Sequence, residues 1–490
     1  MKRRRLGAVL SVAALLSACG GGGGGGGGAV NPGPVAGNPA PAPTPAPTSG
    51  CSLRERQDWA LAQMREWYLF PETLPANPNP AAFSNVTDFL DSLTATARSQ
   101  GRDRFFTFIT SIAQENAFFS SGSSAGFGIR LSYDIAARRV FVAEAFEGAP
   151  ALAAGIDRGT EILAIGTTTA DLRTVESILA VQGQNGITEA LGPTTAGTTR
   201  LLRVRDTSGV TRDLSVRKAD FELLPVSTRY GARIIDDGGR RVGYLNLRTF
   251  ISTADPALRN AFSQFRAQGV TDVVVDFRYN GGGLVSTAEL MGDLLGRDRA
   301  TSDVFSFTVF RPEKSQFNDT RFFAPKPESI AATRIAFIGT GGTASASELV
   351  INAFIPYLRA NAALIGTNTF GKPVGQIALD RAQCDDRLRP VAFATQNAAR
   401  QGNYFSGLAG TVEASCQAGD DLTRQMGDPL EASTRTALDF LAGRSCTRIS
   451  GLGVKTQSAD RQALGVDGER RDLISPDRPT PAQREVPGLF

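Results

Sequence analysis

The chain has 490 residues, of which 20% are charged and 41% hydrophobic, which is enough for two or three domains with a sizeable buried core. Its formal charge of +4 comes from the start: once Lys2, Arg3, Arg4 and Arg5 are set aside, the 52 basic residues fall to the number of acidic ones, 48. This balance removes the case for nucleic-acid binding through bulk positive charge. The absence of histidine excludes imidazole as a catalytic base and every His-ligated metal site.

The first 18 residues have the features of an export signal: a basic start, an apolar run over residues 6–16, and small residues after it. The run is too short to cross a bilayer as an ordinary transmembrane helix. Its end, Leu16-Ser17-Ala18-Cys19, resembles the lipobox of bacterial lipoproteins, in which the cysteine is acylated and becomes the mature N-terminus. The resemblance implies a signal peptide over 1–18 and a lipid anchor on Cys19. The chain would then be a membrane lipoprotein of the bacterial cell envelope that faces the periplasm. An unlipidated secretory signal is the alternative.

Residues 19–50 are predicted to be a disordered tether. Nine glycines, Gly20 to Gly28, are followed by a stretch rich in proline and alanine that ends at Gly50. Such a composition cannot bury a core, and as a coil it reaches roughly 30 Å. A tether of this kind suits a domain that is held away from a membrane.

Four cysteines follow the tether: Cys51, Cys384, Cys416 and Cys446. An even number in an exported chain predicts two disulfides, for which three connectivities exist. We favour Cys384–Cys416 together with Cys51–Cys446, because the second bond would clasp the two ends of the folded region. No metal site is expected, since histidine is absent and the cysteine spacings do not suit zinc.

Residues 51–120 are predicted to form a helical N-terminal subdomain. Ser52 and Glu55 match a capping box, and Pro71 ends the run that follows. Apolar residues recur at helical spacing in that run and in a second one. They are Leu53, Ala60, Met64 and Trp67 in the first run and Val86, Phe89 and Leu93 in the second. We expect this subdomain to pack and to carry no chemistry.

Residues 121–225 change to short β runs, many glycines and one helix. Gly126-Phe127-Gly128-Ile129 opens the unit, a strand follows at 140–142, and a helix is predicted at 172–181. This order resembles a PDZ domain, and Gly126, Phe127, Gly128 and Ile129 match the carboxylate-binding loop of that family. The resemblance implies that backbone N–H groups of the loop bind the C-terminal carboxylate of a peptide, which adds a strand to the sheet edge. The alternative is another type of β domain whose glycines only turn the chain.

Residues 226–450 alternate between strand and helix from Arg240 onwards, which predicts an α/β fold. Strands are expected at 242–247, 273–278 and 335–338, and a helix with an apolar face follows the last of them. Residues 451–490 are polar and lack clear periodicity, so we expect a disordered tail there. The chain as a whole is predicted to be an α/β multidomain protein.

Two segments of the α/β region point to nucleophilic catalysis. Thr343-Ala344-Ser345-Ala346-Ser347-Glu348 follows an apolar strand, and Phe370-Gly371-Lys372 comes 27 residues after Ser345. A serine hydroxyl needs a base, and without histidine the base available near neutral pH is a lysine whose pKa is lowered by burial. Arginine cannot serve, because its guanidinium stays protonated. Ser345 and Lys372 are therefore the candidate nucleophile and base of a Ser-Lys hydrolase.

Each of these residues also has an ordinary structural explanation. Ser345 suits a helix N-cap, Ser347 is a competing nucleophile, and Lys372 suits an exposed loop. Gln376, four residues beyond Lys372, either orients the lysine or a substrate amide, or is a plain strand residue.

The candidate oxyanion donors are backbone N–H groups. A serine at the start of a helix lies where unpaired N–H groups and the helix dipole favour negative charge, so the N–H of Ala346 is one candidate. The turn Asn280-Gly281-Gly282-Gly283 offers Gly281 and Gly282 as the second, because only glycine lets the backbone come so close.

Taken together, these segments resemble the C-terminal processing (tail-specific) serine peptidases. In that family a PDZ domain precedes a core of the ClpP/crotonase-like type, which carries an Ala-Ser-Ala-Ser-Glu-like run, a Thr-Phe-Gly-Lys segment and often a glutamine four residues further. Ser345, Lys372 and Gln376 fall on these positions, and the segment from Asp276 to Gly283 matches the family's oxyanion segment. Some members carry an aspartate eleven residues after the serine; Pro356 stands there in this chain, so the resemblance implies a Ser-Lys dyad.

The resemblance implies a serine endopeptidase that hydrolyses unstructured C-terminal regions of envelope proteins through an acyl-enzyme and needs no cofactor. Its partners would be protein or peptide substrates with free C-termini, and the membrane through the lipid anchor; no nucleic acid is expected. The main alternative is a catalytically inactive, PDZ-bearing envelope adaptor. A lesser one is a Ser-Lys hydrolase of another acyl bond, such as an ester or a β-lactam.

Overall fold

The computed structural model describes residues 49–134, 136–450 and 471–490. The predicted signal peptide, Cys19 and nearly all of the tether lie outside the described residues. In the described ranges, no helix is both long and apolar enough to cross a membrane.

The N-terminal region is helical, as predicted, and it starts at the capping box. The Ser52 N–H donates to the Glu55 carboxylate at 3.1 Å, and the Glu55 N–H donates back to Ser52 Oγ at 3.4 Å. A short strand, unexpected from the sequence, joins this region to the α/β region. The elements are α1 (Leu53–Trp67), α2 (Val86–Leu93), α3 (Ala95–Ser99), β1 (Phe108–Ser111) and α4 (Ile112–Ser121).

A β unit with two helices follows, over residues 123–222. Within the described residues its largest sheet contains β3, β4, β5, β7 and β8 in that order, while β6 pairs with β5 and β2 pairs with β9. Its elements are β2 (Ser123–Gly126), β3 (Ile129–Asp134), β4 (Arg139–Ala145), α5 (Pro150–Ala153), β5 (Glu161–Gly166), β6 (Arg173–Thr174), α6 (Val175–Leu191), β7 (Thr199–Arg205), β8 (Thr211–Arg217) and β9 (Ala219–Glu222).

The remaining part, up to residue 450, is built from strands and helices in alternation, as the pattern predicts. Its strands are β10 (Ala232–Asp237), β11 (Arg240–Asn246), β12 (Asp272–Asp276), β13 (Val304–Phe310), β14 (Asp319–Phe322), β15 (Arg334–Gly339), β16 (Ala362–Gly366), β17 (Val374–Gln376), β18 (Leu379–Arg381), β19 (Asp386–Arg389), β20 (Val391–Gln396) and β21 (Ala414–Gln417). Its helices are α7 (Ala254–Ala267), α8 (Val285–Leu295), α9 (Ala346–Leu358) and α10 (Ala432–Leu441).

The central sheet of this part has the strand order β10-β11-β12-β15-β16-β21 in the described residues. The β10–β11 pair is antiparallel, and the pairs from β11 to β21 are all parallel. One face packs against α7, α8 and α9 through residues such as Phe262, Met291 and Val350, and the other packs against α10 through Leu438. With both faces covered, the parallel strands are buried and consist largely of apolar residues.

The helical N-terminal region is not a separate body. β1 pairs antiparallel with β19, which itself pairs with β18 in the α/β part. Apolar side chains of α1 and α2, including Met64 and Phe89, share one buried cluster with Val374 and Leu388. This region is therefore a wall of the α/β part.

The disulfide pairing that we favoured from the sequence is wrong. The structure joins Cys51 to Cys384 and Cys416 to Cys446, with Cα–Cα distances of 5.5 and 5.4 Å. Cys384 lies beside the N-terminal region, because the turn between β18 and β19 packs there. Cys446 lies beside β21, where the Gln417 N–H donates to the Thr447 carbonyl at 2.7 Å. Neither proximity is visible in the spacing of the cysteines.

The predicted disordered tail lies partly outside the described residues and is wrong for the rest. Residues 471–490 contain β22 (Arg471–Leu473) and α11 (Pro481–Glu485), and β22 adds to the β unit at β3. Ile474, Val486, Leu489 and Phe490 are buried. The segment lacks a periodic pattern because its apolar side chains enter grooves formed by distant parts of the chain rather than a face of their own.

Candidate active site

The candidate site lies at one edge of the central sheet. The segments that carry Gly281, Ser345 and Lys372 follow the carboxyl ends of β12, β15 and β16, which are neighbours in the sheet. Because these strands are parallel, their carboxyl ends meet at the same edge, where ligands bind in open α/β sheets. The fold therefore brings together three segments that are separated in sequence.

Ser345 lies at the N-cap of α9 with a φ of +54° and a ψ of −116°. Such a backbone conformation is strained for a residue with a side chain and occurs mainly where function requires it. The N–H of Ala346, the first residue of α9, has no partner within the helix and lies at the positive end of its dipole. Ser347, the competing nucleophile, is buried, and its hydroxyl donates to the Asn280 carbonyl at 3.2 Å.

The glycine turn packs directly against the serine. A Cβ at Gly282 would lie 2.8 Å from Ser345 Cβ and 3.2 Å from both Ser345 Oγ and the Ala346 nitrogen, so only glycine fits. The carbonyl of Asn280 accepts the Ala344 N–H at 3.0 Å, which ties the two turns together.

The two predicted oxyanion glycines differ in what their N–H groups do. The Gly282 N–H donates within the turn to Asn280 Oδ1 at 2.9 Å. The Gly281 N–H donates outwards, to the carbonyl of Glu485 at 3.0 Å. Gly281 is therefore better placed than Gly282 to donate to a substrate oxyanion, because its N–H points out of the turn and donates to a carbonyl of another segment.

Lys372 lines a small cavity together with Ser345, Ala346 and Val374. Burial lowers the pKa of Lys372, while the Glu485 carboxylate raises it less strongly. Its Nζ lies 5.3 Å from the centre of the Phe106 ring. In the described residues no hydrogen bond joins the Lys372 amine to the Ser345 hydroxyl.

Gln376 lies on the same side of the site but has its own partner. It lines a cleft of about 1620 Å³ together with Lys372 and Gly281, and its side-chain amide donates to the Phe106 carbonyl at 2.6 Å. It thereby fixes the N-terminal region, which forms this wall of the cleft. Its predicted role towards the lysine or a substrate stays a prediction.

Glu348 is a site residue whose role the sequence did not reveal. Its buried carboxylate accepts the backbone N–H groups of Ser345, Gly371 and Lys372 at 3.1, 2.8 and 2.7 Å. Burial raises the pKa of Glu348 and these hydrogen bonds oppose the rise. The only signal in the sequence is its place three residues after Ser345, which is typical of a capping box.

A buried ionic network holds the glycine turn from behind. Arg278 contacts the carboxylates of Asp276 and Glu431, each at 2.9 Å, and that of Asp420 at 3.2 Å. Asp276 and Arg278 come from one segment, and Asp420 and Glu431 from another far away in sequence. Three of the four side chains are buried, and Asp420 is partly exposed. The network fixes the chain between β12 and Gly281. Sequence reasoning missed Glu431 and Asp420, since isolated acidic residues carry no pattern.

In the β unit, the predicted carboxylate-binding loop, Gly126–Ile129, binds a backbone carbonyl of the same chain. The N–H groups of Gly128 and Ile129 both donate to the carbonyl oxygen of Phe490, at 2.9 and 3.1 Å. Gly126 comes so near that a Cβ there would lie 2.7 Å from the Phe490 carbonyl carbon, and Phe127 is buried beneath the loop. All four predicted loop residues therefore lie at one place, which is occupied by a later part of the same chain.

Residues 241–388, which contain Gly281, Ser345, Lys372 and Gln376, match peptidase family S41. Residues 55–108 match the peptidase S41 N-terminal domain. The first match falls on the segment from β11 to β19. In the structure, the two matched segments share the cleft at Phe106.

Similar proteins with curated names are carboxyl-terminal-processing proteases. The chain is 26% identical over 256 residues to the one from Synechocystis sp. strain PCC 6803, which covers 52% of this chain and 54% of that protein. It is 27% identical over 254 residues to the one from Picosynechococcus sp. strain PCC 7002, over 52% of this chain and 55% of that protein. The chain thus spans about half the length of these relatives.

Among solved structures, an S41 protease from Bacteroides fragilis NCTC 9343 superimposes with a TM-score of 0.61. The two chains are 24% identical, and the match covers 79% of this chain and 97% of the other. At this identity the similarity establishes a shared fold. The similarity extends beyond residues 241–388, which the family model matches.

Proposed function

We propose that the chain is a serine endopeptidase with Ser345 as nucleophile and Lys372 as base. One observation carries the proposal: Ser345 lies against the Gly281–Gly282 turn at a helix start and shares a small cavity with a lysine whose pKa is lowered by burial. Because residues 241–388, which contain Ser345 and Lys372, match peptidase family S41, the acyl group is proposed to be that of a peptide. Pro356 stands in α9 where a third catalytic acid would be expected, so the proposal is a dyad.

The chemistry follows from the position of each group. Neutral Lys372 accepts the hydroxyl proton of Ser345 as Oγ attacks the peptide carbonyl. The N–H groups of Gly281 and Ala346 stabilise the oxyanion. Lys372 then returns the proton to the leaving amine, and water, with Lys372 again as base, hydrolyses the acyl-enzyme. No cofactor takes part in these steps.

The β unit is proposed to act as a PDZ domain that selects the C-terminus of the substrate. Support comes from the loop at Gly126–Ile129, whose N–H groups converge on one carbonyl oxygen, and from the β3 edge beside it, which accepts an added strand. α6 forms the other wall of this groove, with Ile178 buried next to Phe490 in one apolar cluster. Unstructured C-terminal regions of proteins are the proposed substrates, in line with the processing activity for which the similar proteins are named.

The proposed location is the bacterial cell envelope, with Cys19 as a lipid anchor. Two disulfides support an oxidising compartment, because such bonds are rare in the reducing cytosol. The test is metabolic labelling with a fatty acid, comparing the full chain with Cys19→Ser. Label on the full chain and none on the variant is expected; label on neither contradicts the anchor and leaves the plain secretory signal.

The experiment that tests the activity compares the full chain with Ser345→Ala. Each is incubated with an unfolded protein that has an apolar C-terminal tail, and the products are identified by mass spectrometry. Cleavage by the unaltered chain alone is the expected result. No cleavage by either chain, with the tail peptide still bound, would instead indicate an envelope adaptor.

A further inference from the structure

The described C-terminal segment, residues 471–490, binds along the edge of the β unit that a substrate strand would use. β22 pairs antiparallel with β3 from Asp134 to Ser132. Further along the same edge, the Leu131 N–H donates to the Gly488 carbonyl at 2.8 Å, and the Phe490 N–H donates to the Ile129 carbonyl at 2.8 Å. The two pieces of chain therefore continue one strand, with residues 475–487 looped out between them.

The side chains at the end of this strand fill two apolar sites. Phe490 is 2% exposed and belongs to the buried cluster of the β unit, together with Ile129 and Ile178. Leu489 is also 2% exposed and belongs to a separate cluster with Phe146 and Phe221. Burying two large side chains provides a substantial hydrophobic contribution, roughly 1.5–3 kcal/mol for each residue before ordering costs. The segment is thus bound by both backbone and side chains.

The looped-out residues enter the candidate active site. α11 ends at Glu485, whose carbonyl accepts the Gly281 N–H at 3.0 Å. This N–H is the donor that a substrate oxyanion would use. A Cβ at Gly281 would lie 2.6 Å from the Arg484 carbonyl oxygen, so the segment is in direct contact with the turn. Arg484 and Glu485 line the large cleft with Lys372, whereas Ser345 is not among the residues that line it. The described segment thus contacts the glycine turn and lines the cleft beside Lys372.

The charge of Glu485 opposes the function of the base. When ionised, its carboxylate favours the protonated form of Lys372, and an ammonium group cannot accept a proton from Ser345. Burial raises the pKa of Glu485, and the charge of Lys372 opposes this rise. The other charged groups that act on Lys372 are Arg484, which lowers its pKa, and Asp103 and Glu348, which raise it. Of the carboxylates, Glu485 has the largest effect, and it is the one that leaves if the segment moves away.

Arg130 connects the bound strand to the active-site turn. This fully buried residue of β3 donates through Nη1 both to the Pro487 carbonyl and, at 2.9 Å, to the Tyr279 carbonyl. Tyr279 lies two residues before Gly281 and has a φ of +65°. Arg130 therefore contacts both the segment that occupies the groove and the backbone just before the glycine turn.

We propose that residues 471–490 are an intrachain ligand of the groove that inhibits the active site, and that a substrate C-terminus displaces them. The inhibitory part rests on the proposed function, whereas occupation of the groove does not. The segment acts at three places: Leu489 and Phe490 fill the apolar sites, the Glu485 carbonyl accepts the Gly281 N–H, and Glu485 lines the cleft together with Lys372. Its sequence also indicates the competing ligands, which are protein C-termini that end in two large apolar residues.

The test uses the full chain and its variants Leu489→Asp, Phe490→Asp and Glu485→Gln. Leu430→Asp is the matched control, because Leu430 is 63% exposed and lies outside the groove and the site. Circular dichroism and thermal unfolding verify that each variant folds. If the aspartate variants do not fold, Leu489→Ala and Phe490→Ala replace them.

The first measurement is binding of a fluorescent peptide, Val-Pro-Gly-Leu-Phe, to each chain in a Ser345→Ala background. We expect the Leu489 and Phe490 variants to bind it at least about tenfold more tightly than the unaltered chain, because their groove is no longer occupied. The Leu430→Asp control should bind like the unaltered chain. Equal binding by all chains overturns the proposal.

The second measurement is kcat/KM for an unfolded protein with a charged C-terminus, which competes poorly for the groove. With Ser345 present, the Leu489 and Phe490 variants should cleave it at least about tenfold faster than the unaltered chain and the control. Glu485→Gln should move the rise of kcat/KM to lower pH. Unchanged rates and profiles overturn the inhibitory role. If none of the chains cleaves, the proposed function and the inhibitory role both fail, while the peptide titration still decides whether the segment occupies the groove.

Discussion

The carboxylate of Glu348 accepts the backbone N–H of Lys372 at 2.7 Å. The same oxygen accepts the N–H of Ser345 at 3.1 Å, so one buried side chain sets the distance between the turn that carries the proposed nucleophile and the loop that carries the proposed base. Arg104 holds that loop from the other side, donating to the carbonyls of Phe370 and Gly371 at 2.6 and 2.7 Å. The relative position of Ser345 and Lys372 is thus determined by backbone contacts rather than by a bond between their side chains.

Replacing Glu348 with glutamine should destabilise the protein and reduce its activity together. The amide keeps one acceptor oxygen but turns an NH₂ group towards backbone N–H groups, and the charge-assisted character of the remaining bond is lost. We expect a loss of about 3 kcal/mol in unfolding free energy and a large drop in kcat/KM. Urea unfolding and peptidase assays measure the two effects.

The control for this change is Glu413→Gln, which removes a surface carboxylate paired with Arg359 at 2.7 Å. Exposed pairs contribute between zero and about 1 kcal/mol, so its effect should be small. If Glu348→Gln is as stable and active as this control, Glu348 does not hold the two loops.

The two serines of the motif should behave differently when each is changed to alanine. Ser345→Ala should abolish turnover, with a loss of about 10⁴-fold or more in kcat, and leave the melting temperature nearly unchanged. Ser347→Ala should cost about 1 kcal/mol of stability, because its hydroxyl bonds to the Asn280 carbonyl, yet remain active. Turnover retained in Ser345→Ala, or lost in Ser347→Ala at intact stability, would identify a different nucleophile.

If the chain is the proposed peptidase, its kcat/KM should rise with pH as Lys372 loses its proton. Burial lowers the pKa of Lys372 below its ordinary value of 10.5, so the midpoint of the rise should lie below that value. The sign follows because the neutral amine, present above the pKa, is the active form. A profile that is flat between pH 6 and 10, or activity retained in Lys372→Ala, contradicts the assignment of the base.

Removing the disulfides should affect stability unequally. Cys51–Cys384 spans 333 residues of sequence and Cys416–Cys446 spans 30. In the chain-entropy description, the longer closure stabilises by about 6 kcal/mol and the shorter by about 4 kcal/mol, so the double Cys→Ser variant of the first pair should be the less stable. Peptide mapping without reduction checks the pairing itself. A Cys51–Cys446 peptide would contradict the pairing in the structure and support the pairing favoured from the sequence.

Much of the fold could be predicted from the sequence because its signals are local. The capping box at Ser52 and the apolar runs that became β11, β12 and β15 depend on residues close to one another in the chain. The candidate site was predictable in part: the glycine turn and the serine each follow a strand that the sequence predicts, whereas β16, the strand before Lys372, was not predicted. Their meeting at one sheet edge follows from the parallel order of those strands.

What the sequence by itself determined is the available chemistry and its local setting. Without histidine, a serine nucleophile must depend on Lys372 or another lysine, and the glycines at Gly126 and Gly281 mark where backbone N–H groups can approach a ligand. The tertiary structure alone decided which cysteines pair, that Glu348 joins the segments that carry Ser345 and Lys372, and that residues 471–490 lie along β3 and line the cleft with Lys372. These are contacts between residues far apart in sequence. Such contacts leave no periodicity and depend on where the folded strands place their ends.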